Sequence, residues 1–118
     1  MSGVAPTADP GRVVVVAAGF ALWLGGRCVA AARWGDIRRL RAHRRAIAQS
    51  DVLCLRVELA DGSVLELREE APGFDAFLDR CATMLSGLLP YRDWHHKLDA
   101  AAPDDDGIVL YDRTTRRY

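Results

Sequence analysis

The chain has 118 residues, of which 50% are hydrophobic and 27% are charged. This length and composition predict one folded domain and exclude an intrinsically disordered chain. Sixteen basic residues balance sixteen acidic ones, so net charge alone does not direct the protein to nucleic acid or to anionic lipid. We predict a single α+β domain at residues 11–113, with tails at 1–10 and 114–118.

Residues 12–32, RVVVVAAGFALWLGGRCVAAA, contain the longest uncharged run. That run, residues 13–26, is shorter than the roughly 20 apolar residues that a membrane-spanning helix needs. Its valines favour strands, and Gly25-Gly26 suits a two-residue hairpin turn. We predict strands at 12–18 and 20–24, a bend at Gly19-Phe20 and a third strand from Arg27. A secretory signal peptide over residues 12–32 is the alternative.

The segment of residues 33–50, RWGDIRRLRAHRRAIAQS, is ambiguous. Residue propensities favour a basic amphipathic helix, whereas the order of the surrounding elements favours a strand. The next segment is clearer, because Leu53, Leu55, Val57 and Leu59 alternate with polar positions on one side of the pair Asp61-Gly62. This pattern predicts a β-hairpin with one face in water.

Further along the chain, apolar residues at helical spacing predict an amphipathic helix at about 73–89, which ends before Pro90. A short second helix is predicted at 91–101. After the loop at 102–107, the segment IVLYDR predicts a closing strand at 108–113.

The segment WGDIRRL, from Trp34 to Leu40, resembles the mid-domain turn of small bacterial proteins with a pleckstrin-homology-like barrel. The resemblance covers about residues 12–90. It implies a strongly bent antiparallel sheet, or partly open barrel, covered by the helix at 73–89. It also implies a binding module without catalytic residues. The second helix and the closing strand lie beyond the point where such domains usually end.

The candidate binding residues are the basic side chains of the ambiguous segment. Arginine suits phosphate or carboxylate groups, and we expect one basic surface for an acidic protein or for anionic lipid. Nucleic acid is disfavoured, because only Trp34 lies nearby for base stacking. The alternative is a solvated face paired with the chain's own acids at 58–79. These candidate residues are Arg38, Arg39, Arg41, His43, Arg44 and Arg45.

The remaining residues give little support to catalysis. His95 and Asp99 have the spacing to share a metal on a helix, with His96 beside them and a further ligand from residues 104–106; a solvated helix face is the alternative. The chain has no glycine-rich phosphate loop and no GxSxG motif. We therefore predict that the protein is not an enzyme, with a metal-assisted hydrolase as one alternative.

The three cysteines, Cys28, Cys54 and Cys81, have no CxxC spacing. Their odd number and their spacing disfavour a disulfide framework and a zinc site. We expect reduced thiols, a cytoplasmic protein, no cofactor and no metal. The predicted function is protein binding, as in a small bacterial immunity or inhibitor protein, with a homodimer also open. A module that binds anionic headgroups at a membrane surface is the other alternative.

Overall fold

The computed structural model describes residues 10–47, 50–99 and 107–113. Apart from Pro10, the predicted tails lie outside these residues, as does most of the predicted loop at 102–107. The described chain forms two antiparallel sheets and two helices, an α+β architecture. The elements in chain order are β1 (Arg12–Val15), β2 (Gly19–Leu24), β3 (Arg27–Arg33), β4 (Ile37–Ile47), β5 (Ser50–Leu59), β6 (Val64–Arg68), α1 (Phe74–Met84), α2 (Tyr91–Asp99) and β7 (Ile108–Asp112).

The first sheet has the strand order β1-β2-β3 and confirms the two predicted hairpins. Gly25 and Gly26 connect β2 to β3 with φ angles of 58° and 79°, which only glycine adopts at little cost. The first turn differs from the prediction. It joins Val16 to Gly19 by reciprocal backbone hydrogen bonds, so β1 ends at Val15 and Phe20 lies inside β2.

The second sheet has the strand order β6-β5-β4-β7. The ambiguous segment forms β4, after a single 3-10 turn at Trp34–Asp36. A strand is favoured here because β4 is central and pairs with both β5 and β7, and these tertiary contacts override helix propensity. The hairpin predicted around Asp61-Gly62 is confirmed as β5 and β6.

The core lies between the inner faces of the two sheets and α1. Three aromatic rings connect these elements, since Phe20 of β2 and Phe77 of α1 both pack on Trp34. The start of α1 also lies directly against β1. Val13 donates its backbone N–H to the carbonyl of Pro72 at 2.8 Å, and Gly73 has a φ of 92°.

The amphipathic helix is shorter than predicted. It ends at Met84 rather than near residue 89, because Leu85 is extended, with a φ of −107°, and Gly87 has a positive φ. The chain has thus left the helix before it reaches Pro90. The second helix is confirmed as α2, and the closing strand is confirmed as β7, which lies beside β4.

Candidate functional site

The four-stranded sheet has a charged outer face, on the side away from the core. Side chains along a strand point alternately to the two faces of its sheet. On β4 the buried residues Leu40 and Ala42 face the core. The side chains between and beyond them, Arg39, Arg41, His43 and Arg45, therefore line the outer face together with the alternate residues of β5 and β6.

The other two predicted binding residues lie elsewhere on β4. Arg38 is exposed and is the extra residue of a β-bulge, because Ile37 pairs with Leu59 and Arg39 with Glu58. Arg44 lies on the core side, next to Leu53. The six residues thus do not form the single basic surface that we expected, because a strand divides consecutive side chains between two faces.

Several of these arginines are paired with carboxylates of the same chain. Arg39 bridges two strands, since its Nη1 lies 3.2 Å from Oε1 of Glu58 and its Nε lies 3.2 Å from Oδ2 of Asp112. Arg45 pairs with Glu66, and Arg44 pairs with Asp51. Within the described residues, Arg38 and Arg41 have no carboxylate within 4.0 Å. Much of the local positive charge is therefore balanced.

A cavity of about 280 Å³ adjoins Arg44 at the end of β4. Its wall includes the Arg44–Asp51 ion pair, Leu53 and Trp94. His95 closes one side, with its ring stacked on Tyr91 at a centroid distance of 4.8 Å. The lining is mainly polar, and it also includes Glu69, whose Oε1 accepts a hydrogen bond from the backbone N–H of Leu53.

The outer face also brings together three side chains that the sequence did not connect. His43, Cys54 and Glu66 come from three neighbouring strands, and their ligand atoms all lie within 4.8 Å of one another. His43 and Cys54 are direct cross-strand partners. Nε2 of His43 lies 3.3 Å from Oε2 of Glu66. The sequence gave a partial signal for this cluster, since it predicted an outward position for each of the three residues. It did not predict that they lie together.

Cys54 is unusual for a residue on an outward face, because it is 0% exposed. Burial raises the pKa of its thiol from 9.0 to about 12, and the Glu66 carboxylate adds to the rise, whereas Arg45 and Arg68 act in the opposite direction. At neutral pH the thiol is therefore protonated and unreactive as a nucleophile.

The three-stranded sheet has an outer face of the opposite character. Val14, Ala21 and Ala31 are in register across β1, β2 and β3 and form an apolar row. Val16 continues it with 53% of its surface exposed. A shallow depression of about 410 Å³ follows this row. The uncharged run at residues 13–26 carried this signal, because a strand without alternating polar residues is apolar on both faces.

Within the described residues, the ring contacts and the hydrogen bond of the α2 histidines are with residues of the same helix. Nδ1 of His95 lies 3.2 Å from the backbone oxygen of Tyr91, and the rings of His95 and His96 meet edge to face. Among the described side chains, neither histidine belongs to a group of three metal-ligating residues. The side chain of Asp99 and residues 104–106, which complete the predicted hydrolase site, lie outside the described part of the chain.

Comparisons with protein families, with curated proteins and with solved structures found no match to this chain. Neither described helix is long and apolar enough to cross a bilayer.

Proposed function

We propose that this protein is a non-catalytic binding module that docks another protein on the outer face of its three-stranded sheet. The observation that carries the proposal is the apolar row of Val14, Ala21 and Ala31. The solvent face of an antiparallel sheet ordinarily carries polar side chains, and contiguous exposed apolar surface is typical of interaction sites.

The charges around this row favour an acidic partner. Arg12, Arg27 and Arg33 are exposed at the ends of the strands that carry it, whereas Asp36 is the acid that lines the same depression. A partner with an apolar centre and surrounding carboxylates would complement both features. Face-to-face pairing of two copies would instead bring arginines close together, so we propose a different protein rather than a homodimer.

The edge of β3 favours a partner that packs on the face of the sheet over a partner that adds a strand to this edge. Leu22 pairs with Ala30 and Trp23 with Cys28, which leaves Val29 as an extra residue. Such a bulge interrupts the hydrogen-bonding edge and discourages another strand from pairing with it. A partner that packs on the apolar row does not need that edge.

The pleckstrin-homology-like architecture remains part of the proposal. Its support is the arrangement of antiparallel strands in two sheets with α1 packed on them, and domains of that kind commonly act by binding. An immunity or inhibitor role is consistent with a small module that carries one apolar docking face. Reduced Cys28, Cys54 and Cys81 support a cytoplasmic location.

Binding of anionic headgroups by the arginines of β4 has less support. Arg39, Arg44 and Arg45 already pair with carboxylates of this chain, and a phosphate would have to displace those carboxylates. Of the described arginines of β4, Arg38 and Arg41 would then offer charge without a carboxylate within 4.0 Å.

Site-specific photo-crosslinking in the native cells tests the proposal. A photoreactive amino acid is placed at Ala21 or Ala31 on the apolar row, and at Arg56 on the charged outer face as the matched control. We expect the two alanine positions to capture the same protein and Arg56 not to capture it. The captured protein, once purified, should bind the wild-type chain in calorimetry.

The substitution Val14→Glu should weaken that binding at least about tenfold, because it buries a charge in the apolar contact. The control Arg56→Glu also introduces a glutamate, but at an exposed position of the other sheet, and it should leave the affinity unchanged. Capture from Arg56 alone, or equal affinity of the Val14→Glu chain, would contradict a docking site on this face.

A further inference from the structure

We propose that His43, Cys54 and Glu66 form a binding site for one zinc-class divalent metal ion, with a water molecule as the fourth ligand. This site lies on the four-stranded sheet and is independent of the docking face proposed above. Imidazole, thiolate and carboxylate are the three ligand types that zinc uses in proteins, and three protein ligands leave one position open.

The geometry is close to that of a tetrahedral site. Bonds of about 2.0–2.3 Å to zinc separate tetrahedral ligand atoms by about 3.3–3.8 Å. The His43 and Glu66 ligand atoms are already 3.3 Å apart, and all three atoms lie within 4.8 Å of one another. A tetrahedral site therefore requires the ligand atoms to approach one another by no more than about 1 Å.

The carboxylate of Glu66 is oriented for one metal bond. Its Oε1 accepts a hydrogen bond from Nη1 of Arg45. Its Oε2 is buried and, among the described residues, accepts no well-aligned hydrogen bond. Nε2 of His43 lies 3.3 Å from this oxygen, and a metal ion beside His43 and Cys54 would give it a stronger partner. Arg45 would then act as an orienting residue for the ligand.

The charges and the chemistry of the ligands select the class of metal. A thiolate at Cys54 and a carboxylate at Glu66 balance the two positive charges of the ion. Sulfur and imidazole ligands favour zinc and similar transition metals over magnesium and calcium, which prefer oxygen.

A nucleophilic role for Cys54 explains the same three residues less well. A Cys–His–acid arrangement requires a thiolate that a substrate can reach. Cys54 has no exposed surface, whereas His43 and Glu66 retain 15% and 31% side-chain exposure at the outer side. A substrate such as a peptide or an ester therefore has no access to the sulfur.

Titration with Co²⁺, a spectroscopic substitute for zinc, tests the site. The full chain carries Cys28→Ser, which removes the exposed thiol. We expect one Co²⁺ per chain, a sulfur-to-cobalt charge-transfer absorption and the visible bands of tetrahedral cobalt. Added Zn²⁺ should abolish all three signals. Absence of the charge-transfer absorption at millimolar Co²⁺ would overturn the proposal.

Substitutions identify the ligands. Cys54→Ala should abolish the charge-transfer absorption, whereas Cys81→Ala, which also removes a buried thiol but in α1, should leave it intact. His43→Gln and Glu66→Gln retain the size of partly exposed side chains and should weaken Co²⁺ binding at least about tenfold. Circular dichroism establishes that each variant folds. If the absorption survives in folded Cys54→Ala, or both glutamine variants bind as wild type does, the site is not the one proposed.

Discussion

Substitution of Gly73 by alanine should destabilise the protein more than its backbone angle alone explains. A Cβ at this position would lie 1.8 Å from the backbone oxygen of Val13. Gly62 has the same φ of 92°, but a Cβ there meets nothing within 4 Å. The two glycines therefore separate the cost of a positive φ from the cost of a collision with the backbone.

The expected magnitudes follow from these two environments. Gly62→Ala should lower the free energy of unfolding by about 1–2 kcal/mol, the cost of the left-handed conformation for a residue with a Cβ. Gly73→Ala carries the same cost. It must also move α1 away from β1, which adds about 1–3 kcal/mol of strain and weakens the hydrogen bond from Val13 to Pro72, worth about 1 kcal/mol. The total for Gly73→Ala is about 3–6 kcal/mol.

Equilibrium unfolding in urea, followed by circular dichroism, measures both values. The informative quantity is the difference between the two variants, because the unfolded-state effect of replacing glycine by alanine is nearly the same in each. Equal destabilisation by Gly62→Ala and Gly73→Ala would refute the close contact between the start of α1 and β1.

Three further measurements test the core, the ionisation of a thiol and the sheet. Phe77→Ala should lower the free energy of unfolding by about 3–5 kcal/mol, because Phe77 is 0% exposed. The control Met84→Ala, on the exposed side of the same helix, should change this free energy by less than about 1 kcal/mol. Burial raises the pKa of Cys81 from 9.0 to about 12. The unfolded chain therefore loses this proton first as the pH rises. The contribution of Cys81 to the free energy of unfolding is complete below pH 9.0 and falls by about 1.4 kcal/mol per pH unit above it. In alkaline unfolding titrations, the difference in this free energy between wild type and Cys81→Ala should therefore shrink by that amount per pH unit. A difference that stays constant with pH would contradict the raised pKa. A double-mutant cycle of Arg39→Gln and Asp112→Asn should give a coupling of up to about 1 kcal/mol that decreases with added salt; a coupling unaffected by salt would contradict an ion pair between β4 and β7.

Local patterns in the sequence predicted most of the elements. The alternation around Asp61-Gly62 and the pair Gly25-Gly26 predicted two hairpins, since a turn and a period of two act within a few residues. Helix α1 was placed correctly at its start. Its end was not, because the extended Leu85 carries no signal as strong as that of Pro90.

The elements that depend on distant partners were not predictable in the same way. The choice of a strand for β4 depends on its pairing with β5 and with β7. The cluster of His43, Cys54 and Glu66 depends on the register between three strands, which places His43 opposite Cys54. A shift of one residue in any of these pairings would separate the three ligand atoms, and no motif in the sequence records the register.

The position of β7 has a consequence for how the chain folds during synthesis. Arg39 and Asp112, which pair in the finished sheet, are 73 residues apart in the chain. A ribosome releases β4, β5 and β6 well before β7, so one edge of β4 stays open while two helices are made. An open edge invites pairing with other nascent chains. The pairing of β7 with β4 ends that interval.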